Sequence, residues 1–361
     1  PICVNGSYRS MMLMEGQTVW VNDDWTGTAP QIRFPGQGLV SADFTAGRNA
    51  SFNPGGRSPV FYSRQNGAWN VATTWSATGH TGGAGSSTPT ATGVVIIAPG
   101  HAVTTGGSSR AAKSVRIERD GIASGVLDLG TISGHAFQTV VGGGLLRLAS
   151  PNLPRVAEGN YSNIAPFVFN DGGVIEFYGT NSYTLPTDKF TYNNLIISGT
   201  GVKTLPAGTI NIQGQLTLRD RGRLATNTAA GGTLNVNGLF LFDGRSTDVA
   251  DRNAFIISGR TVPTSVVWTI NINDEMRFWE SGEVSAEAGE GSTLHHTINL
   301  NGTLTEGRGR MLLRGLPSNH VDMVVRGGTN TDFGTGEFGG VWRFNRLIID
   351  KENAANTVTI N

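Results

Sequence analysis

The sequence predicts an all-β fold: a right-handed parallel β-helix, or solenoid, with a small N-terminal β segment. Three observations lead there. A T-ϕ-N-ϕ-N-G string (ϕ apolar) recurs at irregular spacing. Apolar and polar residues alternate with period two along much of the chain, whereas apolar residues at i, i+3, i+4 and i+7 are missing, so no helix is expected. Gly supplies 51 of the 361 residues without a collagen-like period, which suits many short strands and tight turns.

The string has four copies. They begin at Thr209 (TINIQG), Thr233 (TLNVNG), Thr269 (TININD) and Thr297 (TINLNG), with starts 24, 36 and 28 residues apart. A further start, Thr357-Val-Thr-Ile-Asn361, stops where a glycine is due, and the protein is expected to continue beyond it. A second family lies upstream: Gly125-Val-Leu-Asp-Leu129, Gly144-Leu-Leu-Arg-Leu148 and Gly173-Val-Ile-Glu-Phe177, spaced by 19 and 29 residues. A third echo aligns the stretch around Leu195 with the stretch around Leu347, 152 residues later.

Spacing of this kind suits coils that carry loops of varying length. Ile210, Ile212, Leu216 and Leu218 fall on one side of their strand pattern, and Thr209, Asn211, Gln213 and Thr217 on the other. Stacked in register, the apolar sets form one continuous core, each Ile or Leu contributing roughly 1.5–3 kcal/mol. Gly214 is expected to let the strand bend at a corner. A β-sandwich explains the alternation equally well, but not the recurrence of one string.

Composition narrows the function. The 27 basic and 27 acidic residues cancel, which argues against a strongly basic nucleic-acid binder. The single cysteine, Cys3, excludes an internal disulfide framework and a Cys-based zinc site. No run of about 18 apolar residues is present to span a membrane as a helix.

One segment carries a resemblance. Tyr62-Ser63, Gly67-Ala-Trp69-Asn70, Thr74-Trp75-Ser76, Val95-Ile-Ile97 and Gly100-His101-Ala-Val103-Thr104 occur in an order that resembles a module of large secreted, adhesin-like β-helix proteins of the Bacteroidota, of the kind exported by the type IX secretion system. The stretch from Tyr192 to Leu218 is similar to the repeats that follow that module, so the resemblance covers most of 61–361. Thr92-Gly93 stands where such modules usually carry an Asp. The opening seven residues resemble the start of Ig-like modules in similar proteins.

The expected organisation is an N-terminal β segment over 1–58 and a solenoid over 59–361, with a Trp-containing capping module at 59–105 and coils at 106–361. Trp69 and Trp75 are expected to plug the first coil against fraying and edge-on aggregation. A carbohydrate-stacking role for them is the alternative.

A polysaccharide-cleaving β-helix enzyme needs carboxylates clustered on the outer faces of adjacent coils. The outward positions of the four repeats are Thr, Asn and Gln only, supplying no acid, base or nucleophile of suitable pKa. The remaining carboxylates are placed in turns. Asp243, Asp248 and Asp251 are the candidates for an acid/base pair or a calcium site, but they lack EF-hand and RTX spacing. His295 and His296 are adjacent, so in a strand they point to opposite faces. His101 reads as a turn or packing residue. The Val141-Gly-Gly-Gly144 loop has no following helix to cradle phosphate. Arg219–Arg223 (RDRGR) and Glu306–Arg310 (EGRGR) read as Arg–Gly turns.

The expectation is therefore a non-enzymatic structural or adhesive segment of a surface protein, an elongated stalk or filament component. No catalytic residue, cofactor or metal ligand is expected. The expected partners are other domains of the same polypeptide, surface glycans or neighbouring subunits of an appendage, and the secretion machinery during export. The expected location, implied by the resemblance, is the cell surface. A polysaccharide lyase or hydrolase, or a glycan-binding module, is the alternative.

Overall fold

A computed structural model describes the backbone at 18–19, 31–32, 40–41 and 50–51, and then residues 58–156, 160–169, 171–188, 191–244, 252–257, 266–279, 282–286, 295–305, 309–313, 320–333 and 342–359. Among the first of these, Thr18–Val19 pairs antiparallel with Ala50–Ser51, and Gln31–Ile32 with Val40–Ser41. They form the small N-terminal β segment.

From Val60 onward the chain winds as a parallel β-solenoid with three faces. The first face consists of Val60–Ser63, Val94–Ile97, Ser114–Ile117 and Val140–Val141, and later of seven strands from Thr191–Tyr192 to Arg346–Ile349. The second face is a ten-stranded sheet running from Gly67–Ala68 to Thr303–Thr305. Thr331–Asp332 and Val358–Thr359 follow it as a parallel pair. The third face has a short pair, Ala111–Ala112 with Ala136–Phe137, and then seven strands from Tyr183–Thr184 to Trp342–Arg343.

The register explains the repeats. Thr209 pairs with Thr233, Thr233 with Thr269, and Thr269 with Thr297, so each copy of the string is one rung of the first face. Val126, Leu145 and Val174 are likewise successive partners on the second face. The third echo is different. Leu195 lies in Asn194–Ser198 on the second face and Leu347 in Arg346–Ile349 on the first, so the two strings occupy different sides of their coils.

Inward side chains stack in columns. Leu127, Leu146, Ile175, Leu195, Leu216, Phe240 and Met276 follow one another on the second face, all buried. Phe242 stacks on Phe278 at 4.5 Å between ring centroids. Each coil thus buries its apolar set against the next, which no coil could do alone.

The corner glycines have a sharper reason than bending. Gly238 donates its N–H to the Gly214 carbonyl at 3.1 Å, and a Cβ on Gly238 would stand 2.6 Å from that oxygen. A Cβ on Gly302 would overlap the carbonyl oxygen of Asp274. Close approach of the preceding coil selects glycine here.

The first coil is closed by a strand that turns back. Trp75–Ser76 pairs antiparallel with Val60–Ser63, at the edge of the first-face sheet. Trp69 and Trp75 are 1% and 0% exposed and meet edge-on, their centroids 5.5 Å apart. The Trp75 indole N–H donates to the Trp69 carbonyl at 2.9 Å, and that of Trp69 to the Pro89 carbonyl at 3.3 Å. Neither ring offers a face to a sugar.

Two short helical pieces depart from the helix-free expectation: a 3-10 turn, Ala72–Thr74, and an α-helix, Ala165–Phe169. The helix follows Val140–Val141 in the first-face position and interrupts that face between Val140–Val141 and Thr191–Tyr192. Phe167 and Val168 bury its inner side. Five residues are too few for a periodic pattern to register.

Candidate functional site

Three outward features carry the polar chemistry of the solenoid. The first is a pair of amide ladders on the first face. Asn235 Nδ2 donates to Asn211 Oδ1, Asn271 to Asn235, and Asn299 to Asn271, each at 2.7 Å. Two residues further on, just past the end of each strand, Asn237 donates to Gln213 at 3.1 Å, Asn273 to Asn237 at 2.8 Å and Asn301 to Asn273 at 2.7 Å. Parallel in-register stacking places like amides one strand spacing apart, so each interior amide both donates and accepts along the axis. These groups hold coils together.

The second feature is an ion ladder on the second face. Asp128, Arg147 and Glu176 are successive outward partners in register. They are strand residues, which corrects the expectation that the remaining carboxylates lie in turns. Glu176 is 1% exposed. It binds Arg147 Nε at 2.6 Å and Arg219 Nη2 at 2.9 Å, and accepts the Ser198 hydroxyl at 2.7 Å. Burial pushes its carboxyl up, but the Arg219 charge, the Ser198 hydroxyl and the Arg147 charge outweigh burial and hold it below the usual carboxylate range. Asp128 accepts from Arg147 Nη1 at 3.4 Å and from the Tyr178 hydroxyl at 2.8 Å. A buried carboxylate whose two oxygens are already engaged, and which is held ionised, is poorly suited to act as a general acid.

This ladder was readable in the sequence. The fourth residue of the upstream motif is Asp128, then Arg147, then Glu176, so the sign alternates between successive coils. Arg219, placed in an Arg–Gly turn by its sequence, is the outer partner of Glu176 and closes a strand. The turn itself follows: Asp220 and Arg221 have φ of 49° and 66°, and the Gly222 N–H returns to the Arg219 carbonyl at 2.8 Å.

The third feature is a cleft of about 610 Å³ lined by residues 133–135, 151–156, 161 and 184–188. It opens between the third-face levels of Ala136–Phe137 and Tyr183–Thr184, where the described residues 151–156 form no strand. Pro151 and Pro154 occupy that level and cannot donate to a ladder. Asp188 receives the Tyr161 hydroxyl at 2.7 Å and Arg155 Nη1 at 3.0 Å. His135 forms part of the wall, stacked on Phe137, with Nδ1 accepting the Arg110 N–H at 3.1 Å. Its proton is therefore on Nε2, which has no partner among the described residues. Burial is the main cause that lowers the His135 pKa to about 4.

The other residues singled out by sequence have structural places. Asp243 ends a second-face strand in register with Arg219; Asp248 and Asp251 lie outside the described residues. His101 Nδ1 meets the Ser63 hydroxyl at 2.9 Å at a corner. His296 is buried and accepts the Trp268 N–H at 3.0 Å; nothing is described of the His295 side chain. The Gly142 N–H is held by Asp171 at 2.6 Å, which occupies the glycine loop with a carboxylate. Arg310 of the second Arg–Gly run pairs with Glu283; 306–308 lie outside the described residues. Among the described residues no group of three His, Cys, Asp or Glu side chains is disposed to hold a metal ion.

Lys203 is a cation the sequence did not mark. It points inward, fully buried, in the column between Tyr183 and Leu224. Its ammonium donates to the carbonyls of Gly179 at 2.7 Å, Gly201 at 2.9 Å and Asn181 at 3.3 Å. Burial lowers its pKa to about 8. It ties two coil corners together through backbone oxygens.

The fold and these outward faces define the class: a three-faced parallel β-solenoid with a capped first coil. No protein-family model, curated protein or solved structure matches the chain. No helix among the described residues is long and apolar enough to cross a membrane.

Proposed function

We propose that the chain is a non-enzymatic structural and adhesive segment of a large secreted bacterial surface protein, a solenoid stalk or filament component. The observation that carries this reading is the use of the outward polar groups. On the first face they are spent on amide ladders, and on the second face on an ion ladder, both running along the coil axis. Groups committed in this way resist separation of coils and leave little for chemistry. Twelve second-face levels, each rising about 4.8 Å, would hold flanking domains roughly 50 Å apart.

The resemblance of 61–361 to adhesin-like surface proteins supports the secreted location and the type IX export route. Attached domains, surface glycans or neighbouring subunits of an appendage would be the partners.

Two assays test the reading. Pulling the chain through handles at Phe61 and Thr359 should give stepwise, coil-by-coil rupture at high force. Incubation with neutral and acidic polysaccharides should release no new reducing ends or unsaturated sugars. Depolymerisation of any of them would replace this reading with the lyase or hydrolase alternative.

A further inference from the structure

We infer that the cleft at the break in the third face is a binding site for a neutral saccharide. This deepens the adhesive part of the proposed function, on which it rests, by naming a site and a ligand class; the structural part stands or falls separately.

The break comes first. Every coil from Tyr183–Thr184 to Trp342–Arg343 continues the third-face sheet, and the pair Ala111–Ala112 with Ala136–Phe137 begins it. Between them the described residues 151–156 carry no strand, and the short helix stands in the first-face position of the same winding. Two faces thus lose regularity at one place. A spacer gains nothing from that, since a continuous ladder is the more regular stack. Irregular loops held on a rigid scaffold are the usual site of recognition.

The lining gives the ligand's class. At about 610 Å³ the cleft lies in the range of small-molecule pockets. Among the described residues of its lining the charged ones are Arg155 and Asp188, and they pair with each other at 3.0 Å. A charged ligand would have to break that pair, so a neutral one is favoured. Pro151 and Val156 supply aliphatic surface, while Asn152, Thr184 and Thr187 supply hydroxyl and amide groups. Aliphatic patches interleaved with donors and acceptors fit a ring that has C–H faces and equatorial hydroxyls. Asp188 is held in place by the Tyr161 hydroxyl and Arg155, so this part of the cleft wall is pre-organised, as selective recognition needs. The described lining residues form no extended apolar wall of the kind a lipid or steroid requires.

The test is saturation-transfer-difference NMR on the full chain. The probes are glucose, galactose, mannose and N-acetylglucosamine, with glucuronate and glucosamine as charged counterparts. Asn152 and Thr187 are exposed at the cleft. Asn152→Trp should obstruct the mouth and abolish the signal; Thr187→Trp serves if the first variant melts early. Tyr161→Phe should weaken binding at least fivefold with the fold intact by circular dichroism. Transfer to at least one neutral sugar, lost in the Trp variant, is the expected result. No transfer to any neutral sugar, transfer that survives both Trp variants, or preference for glucuronate or glucosamine would overturn the inference.

Discussion

Asn271 Nδ2 donates to Asn235 Oδ1 at 2.7 Å although the two residues are 36 positions apart in sequence. The bond matches the 2.7 Å bonds that Asn235 makes to Asn211 and Asn299 makes to Asn271, across coils of 24 and 28 residues. Coil length varies and rung spacing does not. The loops absorb the difference, and the face keeps its order.

An interior rung should therefore matter more than a terminal one. Asn271→Ala leaves Asn235 Oδ1 and Asn299 Nδ2 without partners on a half-buried face, at a cost of about 1–3 kcal/mol. Asn301→Ala, at the end of the outer ladder, removes its single bond to Asn273 and should cost about 0.5–1 kcal/mol. Urea titration of the two variants checks the order.

Glu176→Gln removes the buried charge between Arg147 and Arg219, and should destabilise the protein by about 3–5 kcal/mol. Because the folded pKa of Glu176 lies below its unfolded value, its contribution is present above about pH 4.5 and is lost as pH falls through the folded pKa. The wild type should lose stability steeply in that acid range. The Gln variant should lose less.

His135 acts in a higher window. Its pKa is lowered from 6.5 to about 4, so the unfolded chain takes up a proton between those values and the folded protein does not. Stability should fall with pH from about 6.5 to 4, by roughly 2 kcal/mol at pH 5. Comparing urea midpoints of wild type and His135→Gln at pH 7 and pH 5 isolates this part.

The turn after Arg219 holds two non-glycine residues at positive φ. Each sits in a region that costs a non-glycine residue roughly 1–2 kcal/mol, with Asp the better tolerated. Replacing Asp220-Arg221 by Asn-Gly, the pair that such turns prefer, should raise stability by about 1 kcal/mol in the same titration. A loss instead would show that the contacts of Arg221 outweigh its strain.

Trp75 closes the capped end. Trp75→Ala should cost about 3–5 kcal/mol and expose the Val60–Ser63 edge to other chains. Analytical ultracentrifugation should then show more self-association than in the wild type.

The repeat spacing of 24, 36 and 28 was legible because each T-ϕ-N-ϕ-N string occupies one face and pairs rung to rung. The echo between Leu195 and Leu347 misled because a β-corner looks alike on any side of a coil; sequence records the bend and not which face it leads to. The charged ladder was present at one fixed motif position, yet it was hidden by treating carboxylates singly instead of by register. The cleft was not legible. It depends on prolines at one level, a five-residue helix and a Tyr–Asp pair 27 residues apart, and no local pattern joins them.

The central claim is a straight stack, and one distance tests it. Thr104 and Thr305 lie in the same outward column of the second face, eight register steps apart through Asp128, Arg147, Glu176, Ile196, Thr217, Leu241 and Arg277. At about 4.8 Å per step they should stand roughly 38 Å apart. Spin labels at Thr104→Cys and Thr305→Cys, in a Cys3→Ser background, measured by pulsed dipolar spectroscopy, should give one narrow distribution near that value. A broad distribution, or one centred well below about 30 Å, would contradict the stacked column and the stalk built on it.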